Sequence, residues 1–219
     1  MKKITLCSAL ALFLAGILAA ADTAEAGRLT VEITPGEHYS HRKWFGIFPV
    51  KLTPTMAVWI EDEGGCFAGT LFVTRKAAEG KWTGGKNVER PEALPVYFHR
   101  LRTASEKPDS LSGATPNASE DIRLGSNLSL PAGTWRVFAE VNSSFDYNET
   151  YPKESSGVNG QPSVVYGGTL IRGTGPANAG LRPLGTSDAA GRNGEVTADL
   201  RGLTTALSIV ERITVHTPD

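Results

Sequence analysis

The segment Asp109-Ser110-Leu111-Ser112-Gly113-Ala114-Thr115-Pro116 sets a threonine hydroxyl behind two of the smallest residues and in front of a proline. A hydroxyl takes part in group transfer only if a bulky donor can reach it, and Gly113 and Ala114 leave that approach clear. Gly113 also allows backbone angles that other residues resist. Pro116 biases Thr115 towards an extended conformation, which lifts its hydroxyl from the surface. The plainer reading of the same residues is a turn, because Asp, Ser, Gly and Pro all favour one.

The other residues capable of chemistry have equally simple explanations. His38 and His41 fall three apart, a spacing that points to opposite faces of a strand and converges on a metal only in a loop. They read as loop histidines. The run Glu61-Asp62-Glu63 reads as a solvated hairpin corner, since calcium would need further oxygen ligands. The sequence contains no G-x-S-x-G elbow, no H-E-x-x-H and no phosphate-binding loop. Trp59, Trp135 and Tyr166 fall in alternating segments that suit core packing. Trp44, with Phe45, and Trp82 lie in less regular segments and suit stacking on a ligand. N-x-S/T triplets begin at Asn117, Asn127, Asn142 and Asn148, as expected by coincidence in a chain rich in Ser and Asn.

The elements that must position these residues are β-strands. Residues 28–34 alternate, with Leu29, Val31 and Ile33 on one face. Residues 55–62 and 66–74 flank Glu63-Gly64-Gly65, a hairpin signature. Residues 133–142 alternate again and turn Trp135, Val137, Ala139 and Val141 inward. Strands are also expected over 162–173, after the Asn159-Gly160 turn, and over 205–216. Only 91–104 suits a short helix, with Pro95 limiting where it starts. Residues 76–90 and 103–129 read as loops, and 174–204 as a surface meander. Short strands separated by Gly and Pro predict an all-β fold, an antiparallel β-sandwich of immunoglobulin-like general architecture with long loops and at most a short helix.

Lys2 and Lys3, the apolar run Ile4–Ala21 and the small residues Ala24 and Ala26 have the layout of a signal peptide cleaved after Ala26. The expected organisation is therefore a signal peptide over 1–26 and a single β-sandwich domain over 27–219, periplasmic or secreted. No later segment is apolar for long enough to span a bilayer, so the processed chain is expected not to cross one. A formal net charge of −1 argues against nucleic acid as a partner. Of two cysteines only Cys66 outlasts cleavage, leaving no internal disulfide. It reads as a small half-buried side chain at a strand start.

Residues 109–115 fit the pattern D-x-x-[ST]-G-A-[ST] and so resemble the acceptor motif of flavinylated extracytoplasmic proteins, for which a chance match is roughly one in a thousand. Beyond that motif, "AVWIEDEGGCFAGTLFV", "LPAGTWRVFAEVNSSFDYNETYP" and "GVNGQPSVVYGGTL" resemble the predicted-periplasmic domain-of-unknown-function family 2271, over about residues 28 to 173. The resemblance implies FMN attached covalently, through its phosphate, to Thr115. Asp109, Ser112, Gly113 and Ala114 would then be recognition residues. It further implies two partners, a flavin transferase and a membrane or periplasmic redox protein, and a role in electron transfer rather than stand-alone catalysis. After Thr115 the chain departs from the established flavin carriers, with Pro-Asn-Ala-Ser where they have a further Thr-Ser segment. The competing expectation is a non-redox cell-envelope module that binds glycan or protein through Trp44 and Trp82.

Overall fold

The computed structural model describes residues 28–82, 90–104, 112–113, 121–126 and 128–217. Its strands are β1 (Leu29–Pro35), β2 (His41–Phe45), β3 (Phe48–Leu52), β4 (Thr55–Glu61), β5 (Phe67–Thr74), β6 (Ser112–Gly113), β7 (Ile122–Ser126), β8 (Gly133–Asn142), β9 (Val164–Arg172), β10 (Asn178–Gly180), β11 (Arg182–Thr186) and β12 (Val210–His216). Two short α-helices, α1 (Arg75–Glu79) and α2 (Pro95–Thr103), lie between β5 and β6. A four-stranded sheet, ordered β10-β12-β1-β7, faces a six-stranded sheet, ordered β11-β9-β8-β4-β5-β6. This is the expected all-β sandwich. Strands β2 and β3 form a hairpin that belongs to neither sheet.

The middle of the six-stranded sheet is buried on both faces, and the period-two alternation of its strands divides the side chains between two cores. Met56, Val58 and Ile60 of β4, Val137, Ala139 and Val141 of β8, and Val164, Tyr166 and Leu170 of β9 meet Leu29, Val31, Ile33, Ile213 and Val215 of the smaller sheet. The opposite face carries Ala57, Trp59, Val73 and Val165, covered by Leu94, Val96, Tyr97 and Leu101 around α2 and by Ala77 of α1. Strand β4 is therefore buried along its whole length, which a sheet with one solvated face would not allow.

Pro95 occupies the first turn of α2, where its missing N–H costs nothing. The flanking Leu94 offers no side-chain cap. The cap comes instead from the sheet. Glu140 of β8, fully buried, accepts from the backbone N–H of Val96 at Oε1 (3.3 Å) and of Tyr97 at Oε2 (2.8 Å). These are first-turn donors that an α-helix cannot satisfy internally, and negative charge is favoured at that end. The Ser163 hydroxyl donates to Oε1 as well, at 2.5 Å. One residue pair along β8, the Asn142 side-chain amide donates to the carbonyl of Ala93 (3.0 Å) and secures the 3-10 turn Pro91–Ala93 that precedes α2.

Several expectations change at this level. Glu61 is not a solvated corner. It is buried, accepts from the Trp59 indole N–H (3.1 Å) and lies 3.3 Å from Arg100 of α2. Asp62 and Glu63 do form the corner, with Gly65 at φ 82° closing the turn and Asp62 Oδ1 accepting from the Cys66 N–H. Cys66 is exposed rather than half-buried. The surface meander contains β10 and β11, and the loop segments contain α1, β6 and β7.

Burial pushes the Glu140 carboxyl up to about 7 from its ordinary 4.5, against the lowering pull of its hydrogen-bond donors. The folded chain thus holds this proton more tightly than the unfolded chain. Its contribution to stability is complete below pH 4.5 and is lost as pH rises through about 7. Chemical denaturation across this range should show that downward slope, and Glu140→Gln should flatten it. Glu140→Ala, which strands two buried N–H groups, should cost about 3 kcal/mol.

Candidate functional site

The pairing of β5 with β6 is parallel, with Val73 opposite Ser112 and Thr74 opposite Gly113. The other strand pairings of the two large sheets are antiparallel. A parallel neighbour cannot be reached by a tight turn and needs a crossover. Here the crossover runs through α1, the 3-10 turn and α2, the helices that cover the second core. The Ser-Gly pair of the 109–116 segment is thereby delivered to the outermost strand of the six-stranded sheet. Asp109, Ala114 and Thr115 lie outside the described residues.

The inner neighbour of this edge is rigidly held. Where the β4–β5 ladder runs out beyond Ala57 and Val73, the buried Thr74 hydroxyl continues it. It accepts from the Met56 N–H (3.2 Å) and donates to the Met56 carbonyl (3.3 Å). Helix α1 starts at the next residue and lies against β4 and β6. Its Lys76 donates to the carbonyl of Thr53. Burial, reinforced by the charge of Arg90, pulls the Lys76 ammonium down to about 8. On the surface of α1, Glu79 takes Lys81 at 2.8 Å and Arg75 at 3.7 Å.

Beneath α2 an aromatic group packs on the sheet. Trp59 stacks on Phe138 with centroids 5.5 Å apart and meets Tyr97 at 5.8 Å. The Tyr97 hydroxyl is 3.0 Å from that of Thr70. Trp59 and Tyr97 are fully buried, so this cluster anchors the helix and offers no open face. Tyr166 and Trp135 likewise belong to the sandwich core or pack against it. Trp82 is partly buried against the helical core, with the Arg90 guanidinium 4.5 Å over its ring. Trp44 alone of the four tryptophans is strongly exposed.

Two of the four histidines, His38 and His41, lie beside serines. His38 Nδ1 lies 2.7 Å from Ser208 Oγ, and His41 Nδ1 lies 3.5 Å from Ser143 Oγ. Among the described residues no group of three or more His, Cys, Asp and Glu side chains is arranged to hold a metal. No helix among them is long and apolar enough to cross a membrane. Compared with protein-family models, with curated proteins and with solved structures, the chain finds no match.

Sequence reasoning picked out the 109–115 segment but missed what holds its neighbourhood. Thr74 and Lys76 carry no motif, and only the topology gives them significance. Thr74→Val keeps the shape of the side chain while leaving the Met56 N–H and carbonyl without their partner. Urea unfolding should show a loss of about 1–2 kcal/mol. Limited proteolysis should cut the 105–120 segment faster than in the wild type.

Proposed function

We propose that the chain is an extracytoplasmic flavin carrier, with FMN joined through its phosphate to Thr115, that relays electrons between redox partners. The observation that carries this reading is the acceptor-type spacing Asp109, Ser112, Gly113, Ala114, Thr115 in a segment whose Ser-Gly pair sits on the outermost strand of the large sheet. Attachment through a phosphoester needs no dedicated cavity. It needs a hydroxyl that a transferase can reach, and an edge strand with one unpaired side suits that need.

In the attachment step a flavin transferase would join Thr115 Oγ1 to the FMN phosphorus of FAD. The pyrophosphate bond breaks, AMP leaves and the hydroxyl gives up its proton. The bound flavin supplies one- and two-electron chemistry. The protein's share is to hold the acceptor segment at a fixed edge: Thr74 fastens β5, Glu140 fastens the crossover, and Gly113 and Ala114 keep the approach clear. The transferase, a membrane or periplasmic redox partner, and delivery by a signal peptide over 1–26 all belong to this reading.

The competing reading, a non-redox envelope module, loses Trp82 as an open platform because Arg90 covers its ring. It keeps Trp44, on a hairpin whose residues 41–52 include no carboxylate, amide or hydroxyl side chain to meet a sugar.

Co-expression with a flavin transferase, followed by intact-mass measurement, separates the two. The flavin carrier should gain one FMN-sized increment and visible flavin absorbance, and Thr115→Ala should lose both. A colourless wild-type protein of unchanged mass would refute the proposal, as would an increment that survives Thr115→Ala.

A further inference from the structure

We infer that the β2–β3 hairpin is a docking tip for an anionic lipid surface. In β2 and β3, Phe45 pairs with Phe48, Trp44 with Pro49, Lys43 with Val50 and Arg42 with Lys51. Gly46, at φ 63°, takes the first central position of the two-residue turn, where glycine is favoured. At the tip Ile47 is 80% exposed, Phe48 69%, Trp44 63% and Phe45 43%. Large apolar side chains grouped this way on a protein surface mark an interaction site.

The hairpin is braced by Phe145. Phe45 meets the ring of Phe145 edge-on at 5.7 Å, and Lys43 Nζ lies 5.6 Å over the same ring. Phe145 itself has φ 62°, a left-handed conformation that costs a non-glycine residue roughly 1–2 kcal/mol. This brace holds a two-stranded unit that would be marginal by itself. It leaves the tip and the Trp44 face open.

The chemistry of the exposed side selects the partner. From 38 to 60 the chain has three cations, Arg42, Lys43 and Lys51, and no carboxylate, within a protein whose formal net charge is −1. Arg42 and Lys51 stand opposite each other on the Trp44 face, which groups positive charge beside the apolar tip. Aromatic and aliphatic groups ahead of a basic collar match a bilayer interface, with rings at headgroup depth and cations at the phosphates. To meet a glycan the hairpin has no carboxylate, amide or hydroxyl side chain over residues 41–52.

The chain from Gly27, which carries every described strand and helix, can be sedimented with vesicles of phosphatidylglycerol and phosphatidylcholine, or of phosphatidylcholine alone. Binding should require the anionic lipid and weaken with salt. Ile47→Asp should reduce it at least tenfold and Arg42→Glu several-fold, with unchanged melting temperatures confirming the fold of both variants. No binding to anionic vesicles would overturn the inference, as would binding that Ile47→Asp leaves intact. A hairpin-dependent dimer without vesicle binding would also overturn it, assigning the tip to a second copy. Each outcome is independent of flavin attachment, because Thr115→Ala should bind vesicles as the wild type does.

Discussion

One buried carboxylate holds the two halves of this architecture together. Glu140 stands in a central strand of the large sheet, with its side chain on the face away from the sandwich core. It caps the backbone of Val96 and Tyr97. A helix end pressed onto a sheet must have its N–H groups satisfied or pay for their desolvation. The chain meets this requirement from the sheet, because Leu94 and Pro95 offer no local cap. Everything the crossover positions follows from that contact: the aromatic packing under α2, the Arg100–Glu61 ion pair farther along the helix, and the return of the chain to the sheet edge at Ser112 and Gly113.

The same constraint explains why the sheet has two cores. A sandwich alone would leave Trp59, Phe138 and Val165 facing water. The crossover covers that face, and in exchange the sheet gains a parallel edge strand that no hairpin could supply. The acceptor-type segment and the hairpin tip use this scaffold differently. The first depends on the crossover for its place, whereas the second rests on Phe145 and stands outside both sheets.

Much of the sandwich was legible in the sequence because its strands alternate. Val137, Ala139 and Val141 announced both the strand and its inward face, and Pro95 announced the start of the helix. The opposite face of the same strand was not legible. Phe138, Glu140 and Asn142 look like an outward, half-polar set until the helices that bury them are known. Glu61 was misread as solvated for the same reason. Strands β10 and β11 escaped because Asn178–Gly180 and Arg182–Thr186 have little strand propensity and depend on their neighbours for pairing. Strands β2 and β3 escaped because their aromatic run does not alternate. The 109–115 spacing was visible as a motif, yet its position on an edge strand depends on a crossover from Thr74 to Ser112, which local patterning does not encode.

The dependence of the β6 edge on the Glu140 cap can be measured by hydrogen exchange in the wild type and in Glu140→Ala, which removes both acceptor oxygens. Exchange at residues 96–104 and at Ser112 and Gly113 should accelerate together in the variant, while the β8–β9 ladder keeps its protection. Unchanged protection of both the helix and the edge would contradict the account, since the crossover would then be held without the carboxylate.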